Sequence, residues 1–181
     1  MIRSSEVKIG QSTLLDVGSG IGAIQYELFG DGLTRATNVE ASTPYLETSK
    51  QETRRRKLTD RTSYHYGDIV ELAPELSNAT IVTLDKVICC YPDPEALIEA
   101  TSTKATQLYG VVYPRVRFIT KIGLKLGNLW SRLWNNDFRM YLFARNYIDR
   151  IIRDQGFVIQ NQDQTFLWHI SLYSRNGEPF I

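Results

Sequence analysis

The sequence predicts an α/β fold, a doubly wound and mostly parallel sheet of seven strands that ends in an antiparallel hairpin. Three observations carry this. Apolar runs of strand length alternate with segments of helical spacing, which is the mark of a parallel sheet with right-handed crossovers and helices on both faces. The first strand-like run leads through a glycine-rich turn into a helix, "LLDVGSGIGAIQYELFG" (14–30). The last two strand-like runs stand too close together for a parallel return, which takes about a dozen residues or more.

Each element follows from its own residues. "STLLDV" (12–17) is short, apolar and bounded by glycine, whereas "AIQYELFG" (23–30) has helix spacing and stops at Gly30. "LTRATNVEAS" (33–42) reads as the second strand, and "TPYLETSKQETRRRKLTD" (43–60) as a helix opened by Thr43, with Pro44 in its first turn and Glu47 close behind. "TSYHYGDI" (62–69), "ATIVTLDKVI" (79–88) and "QLYGVVYPR" (107–115) are three further β-rich runs, and "DPEALIEATSTKA" (93–105) is a helix between the last two. After the helical "RNYIDRIIRDQGF" (145–157), "FVIQNQ" and "TFLWHISLYSR" are strands that form the hairpin, with one of them reversed. No repeat, low-complexity tract or linker divides the chain, so residues 1–181 read as a single domain with a helical lid insertion at about 115–145.

Composition narrows the function classes. A chain of 181 residues is about one domain and can bury close to 70% of its unfolded surface. A formal net charge of +1 offers no general attraction for nucleic acid or anionic lipid, which leaves a small or neutral ligand. The two cysteines, Cys89 and Cys90, are neighbours that cannot build a disulfide framework, so both read as thiols in a reducing compartment. "MIRSSEVKIG" lacks the apolar core of a signal peptide, and no run approaches the roughly 18 apolar residues of a membrane span. The expected location is the cytoplasm.

The glycine turn points to a ligand. In an open parallel sheet the crevice lies at the carboxyl ends of the strands, and the first strand-to-helix turn lines it. Gly18, Gly20 and Gly22 permit tight backbone geometry and remove side chains that would fill that space. A turn that merely packs helix against strand is the plain alternative. Glu40, at the end of the second strand in "NVEAS", adds an acidic residue about 20 positions beyond the turn, where a carboxylate can accept hydrogen bonds from ribose hydroxyls. Together they indicate a nucleoside-containing ligand. "GSGIGA" also satisfies the loose dinucleotide fingerprint, so a nicotinamide-dependent oxidoreductase is an alternative. Asp16 just before the first glycine, Asp68 after the third strand and the terminal hairpin weigh against it.

At these residues the sequence resembles the class I S-adenosylmethionine-dependent methyltransferase family. The resemblance runs from about Ser12 to Arg175 and rests on "LLDVGSGIG", "NVEAS", "YGDI" and "TIVTLDKVICCYPD" in order. It is nearest to small bacterial members, distantly similar to the magnesium-protoporphyrin methyltransferases. It implies a Rossmann-like fold and S-adenosyl-L-methionine as cofactor. It further implies that Gly18, Ser19, Gly20 and Gly22 run beside the methionine part, with Asp16 beneath them near the amino group. Glu40 would bind the ribose and Ala41 pack beside the adenosine; Asp68 would meet the adenine amino group and Ile69 flank the ring; Asp85 would face the methionine end or the acceptor. Asp68 and Asp85 are alternatively ordinary strand-end caps. Family members carry helical sequence ahead of the first strand that helps close the pocket. Here about a dozen residues precede "LLDVG", so either the chain is trimmed or the closing element comes from elsewhere. A non-catalytic binding module that keeps the fold is therefore a further alternative.

The chemistry so implied asks the protein for positioning and exclusion of water, and for some acceptors a proton acceptor. No metal is called for, and His65 and His169 lack a ligand-spaced partner. Candidates for a catalytic role are Asp85, Tyr91 and His169, the last of which also reads as an ordinary strand histidine. The expected partner is a small, apolar or aromatic methyl acceptor, with no nucleic acid and no membrane span; the oligomeric state is left open. The acceptor side falls to "CCYPDP" and to the insertion, where Arg115, Arg117, Lys121, Lys125 and Arg132 interleave with Phe118, Trp130, Trp134, Phe138 and Tyr141. That insertion reads either as an amphipathic helix pair packed on the core or as a hydrophobic lid over the acceptor, and the near-neutral overall charge weighs against the third reading, a nucleic-acid groove. "RRRK" (54–57) is the solvated end of a helix.

Overall fold

A computed structural model describes residues 1–117, Thr120, Gly123 and 139–175. Seven strands form one sheet: β1 (Thr13–Val17), β2 (Arg35–Glu40), β3 (Thr62–Tyr66), β4 (Ala79–Asp85), β5 (Ala105–Pro114), β6 (Phe157–Gln164) and β7 (Trp168–Arg175). Their order is β3-β2-β1-β4-β5-β7-β6. The pairings from β3 through β5 are parallel, and β7 is antiparallel to both β5 and β6. The chain reverses between β6 and β7 in Thr165–Leu167, so β7 is the single reversed strand expected from the short connection. The order changes direction between β1 and β4, which opens a crevice at their carboxyl ends.

Alternation of side chains along the strands builds two cores. Leu14, Ala36, Ile81, Leu108 and Leu172 face one side, where they meet Leu28 of α1 (Ala23–Gly30) and Val7 and Leu33. Leu15, Val17, Val39, Val82, Leu84, Tyr109 and Val111 face the other, against α4 (Pro94–Ser102) and α5 (Arg145–Asp154). Ile148, Ile151 and Ile152 of α5 are buried there at helical spacing, each contributing roughly 1.5 to 3 kcal/mol. Residues 1–12 form two short 3-10 turns, Ile2–Ser4 and Ile9–Gln11, whose apolar side chains Met1, Ile2 and Ile9 pack on the first core.

Boundaries shift where caps decide them. α2 (Thr43–Arg55) is preceded by Ser42, so Thr43 lies inside the helix rather than at its cap. Asp93 caps α4 as its carboxylate accepts from Ala96 N–H at 3.0 Å. A four-residue helix, α3 (Ile69–Leu72), follows β3 and is too short for periodicity to reveal. Most of the lid insertion, including Phe118, Lys121, Lys125, Trp130, Arg132, Trp134 and Phe138, lies outside the described residues.

Candidate active site

The crevice is built from strand ends. β1 gives way at Gly18 to a turn whose three glycines have φ of +60°, +55° and +86°, a region that costs other residues roughly 1 to 2 kcal/mol. Gly18 N–H donates to Val39 O at 2.8 Å and Gly22 N–H to Ser19 O at 2.8 Å, so the turn is pinned to the end of β2 and closed on itself. A Cβ on Gly18 would strike Val87, and one on Gly22 would strike Gln25 and Ser49. Gly20 differs, because nothing lies within 4 Å of the position its Cβ would take. Beside it the Ser19 hydroxyl oxygen is buried with no hydrogen-bond partner. An open cradle and an unpartnered buried oxygen both fit a polar ligand lying across the turn.

Glu40 organises the turn. One carboxylate oxygen accepts from Gly20 N–H at 2.8 Å and the other from Ser42 N–H at 2.8 Å. The residue is nine-tenths buried, and each oxygen retains acceptor capacity beyond these bonds. Ala41 follows it on the exposed side of the junction.

Asp16 lies in the sheet itself, level with Asn38 of β2 and Thr83 of β4. Its carboxyl is fully buried and accepts from the Thr83 hydroxyl at 2.7 Å. Burial pushes its pKa up to about 7, the Thr83 bond works the other way, and the charges of Asp85 and Glu40 add to the rise. Such a group becomes a stable anion once a cation supplies the missing counter-charge.

The remaining predicted residues take several positions. Asp68 caps α3 by accepting from Val70 N–H at 2.8 Å, and the Tyr91 hydroxyl donates to both its oxygens at 3.1 and 3.0 Å. Burial and then Asp68 push the Tyr91 phenol up to about 12. Ile69 is buried in the core beneath this cap. Asp85 ends β4 and meets Lys86 Nζ at 3.5 Å. His169 stands on β7 against Tyr113 of β5, with ring centroids 5.5 Å apart; β4 and β5 separate it from the glycine turn. Partial burial, then Arg145 and Arg115, lower its pKa. The structure thus brings together Asp16, the glycine turn and Glu40, joins Asp68 to Tyr91 nearby, and leaves His169 apart.

Several contributors carry no sequence signal. Lys86 adopts φ +63° with its amine 5.4 Å from the Trp168 ring centroid. Asn38 donates to Gln25 at 2.7 Å, both side chains being fully buried behind the turn. Beside Asp85, an open groove of about 440 Å³ has apolar walls that include Ile24, Leu28, Val112, Ile170 and Leu172. Among the described residues no group of three or more His, Cys, Asp or Glu could hold a metal ion, and no helix is long and apolar enough to cross a membrane.

The family described as methyltransferase domain matches residues 15–103, the segment that holds the glycine turn, Glu40, Asp68 and Asp85. That match spans just under half of the chain. No curated protein matches it. Solved structures share the fold of this chain at low identity. Magnesium protoporphyrin IX methyltransferase from Synechocystis PCC 6803, with bound SAH, is 18% identical with a TM-score of 0.73, over 90% of this chain and 74% of that one. An O-methyltransferase family protein from Burkholderia thailandensis is 12% identical with a TM-score of 0.76, over 94% and 53%. A Listeria monocytogenes protein described as an S-adenosylmethionine dependent methyltransferase is 11% identical with a TM-score of 0.72, over 94% of both chains.

Proposed function

We propose that this chain is a methyltransferase that binds S-adenosylmethionine across the carboxyl ends of β1, β2 and β3 and catalyses methyl transfer to a small, apolar or aromatic acceptor at the ends of β4 and β5. The observation that carries the reading is the glycine turn held by Glu40, with open space over Gly20 and the Ser19 hydroxyl unpartnered beneath it. When bound, the cofactor supplies an electrophilic sulfonium methyl group.

The chain's own residues bind and orient. Gly18, Gly20 and Gly22 leave room for the methionine part, and Asp16, as a carboxylate, offsets its ammonium. Glu40 uses its remaining acceptor capacity on the ribose hydroxyls while keeping the turn in place. Asp68 accepts from the adenine amino group, with Ala41 beside the adenosine and Ile69 supporting the cap on which Asp68 sits. On the acceptor side, the groove beside Asp85 offers apolar walls that suit an apolar molecule. Asp85 is the candidate for receiving a proton; Tyr91 keeps its own proton and donates it to Asp68, and His169 stands apart. The free thiols of Cys89 and Cys90 support work in a reducing compartment such as the cytoplasm.

Isothermal titration with S-adenosylmethionine, its demethylated product and NADH tests the reading, together with transfer of a labelled methyl group to acceptors in a cell extract. The first two ligands should bind and NADH should not. Glu40→Ala should weaken both by tenfold or more, since a hydrogen bond to a charged group is worth about 1.5 to 3 kcal/mol. Unchanged affinities in the variant would refute the ribose assignment, and binding without any labelled product would leave a binding module.

A further inference from the structure

We propose that Cys89 and Cys90 form a two-sulfur site for a thiophilic trivalent centre such as an organoarsenic(III) species, because their sulfur atoms converge on one side of the turn that follows β4. Lys86 has the left-handed φ of +63° that starts this turn. Both thiols then donate to the Lys86 carbonyl oxygen, at 3.3 Å from Cys89 and 3.5 Å from Cys90, and the two sulfur atoms stand 3.7 Å apart. Cys90 is exposed and Cys89 is buried. A ligand from solvent is caught by Cys90 and the chelate is closed by Cys89 from behind. The contact with Cys89 lowers the pKa of the Cys90 thiol, which favours the nucleophilic thiolate at the exposed position.

The chemistry of the donor set decides the class of ligand. A direct bond between the sulfur atoms would pull them to about 2.05 Å across a single peptide unit, in conflict with the backbone separation that disulfides prefer. A bridging atom makes the ring one atom larger and takes the sulfur atoms nearer to where they already stand. Among the described residues no third His, Cys, Asp or Glu completes a cluster, so the pair does not match the four-ligand sites of zinc. With phenylarsine oxide two arsenic–sulfur bonds form and the arsenic–oxygen double bond breaks. The oxygen leaves as water with both thiol protons, and neither arsenic nor sulfur changes oxidation state. The Cys89 carbonyl accepts from Tyr141 N–H at 2.7 Å, so a bound centre stiffens a turn that is already tied to the chain leading into α5.

Phenylarsine oxide is the probe, added in equimolar amount to the reduced full-length chain and read by intact mass and by thermal midpoint. The wild type should gain one phenylarsenic group that survives excess 2-mercaptoethanol and is removed by dithiothreitol, and its midpoint should rise. Cys90→Ser changes an exposed side chain and should keep the fold, yet its adduct should be stripped by the monothiol with no rise in midpoint; Cys89→Ala should behave alike. Retention of a monothiol-resistant adduct by either variant, or its loss from the wild type, would overturn the site.

Discussion

Asp16→Asn should stabilise the ligand-free protein at neutral and alkaline pH while spoiling its cofactor site. In the unfolded chain the Asp16 carboxyl ionises at its ordinary value of 3.8, whereas in the folded protein burial holds the proton until about pH 7. Between those values the folded state binds more protons than the unfolded state, so stability falls as pH rises through the window and levels off above it. At about 1.4 kcal/mol per pH unit, the interval is worth about 4 kcal/mol at pH 8. That is a large share of a domain's roughly 5 to 15 kcal/mol. Asparagine has the same shape, keeps an acceptor for the Thr83 hydroxyl and has no charge to bury. Urea unfolding of both proteins from pH 4 to pH 8 checks this, with the difference between them as the readout, since all other titrating groups are shared. The variant should gain on the wild type steadily through the window, by about 2 to 4 kcal/mol at the top, and should lose S-adenosylmethionine binding. A difference that is flat with pH, or a variant less stable at pH 8, would refute the buried-proton argument.

The glycine turn gives two further tests. Gly20→Val should abolish cofactor binding with a nearly unchanged circular dichroism spectrum, because its side chain enters open space, and should lower stability by about 1 to 2 kcal/mol through the left-handed backbone; wholesale unfolding would mean the turn is only structural. Gly18→Ala should cost more than the backbone term, because the new methyl meets Val87, and adding Val87→Ala should recover part of the loss in a double-mutant cycle, with a coupling of about 0.5 kcal/mol or more; strict additivity in urea unfolding would disprove the contact.

The alternation of strand-like and helical runs determined the doubly wound sheet, since side-chain period and turn residues act within a few positions of chain. For the same reason the short link before β7 was enough to reverse that strand, and the glycines announced the turn at the end of β1. Short-range patterns also marked Glu40 and Asp16 as acids at strand ends. Only the tertiary structure decided what those acids do. Glu40 is bound to Gly20 across a sequence separation of 20, and Asp16 is held by Thr83 across 67. Such partners depend on which strands become neighbours, and periodicity within a segment does not specify strand order. Asp68 was legible as an acid after β3, but its cap on α3 and its bond from Tyr91 required α3 and the turn after β4 to be in place. The left-handed Lys86 and the converging thiols of Cys89 and Cys90 follow from how the chain leaves a buried strand whose neighbours fix its end. Local pattern reaches as far as the next turn; burial, charge and partnership at the site are properties of strands brought together from distant parts of the chain.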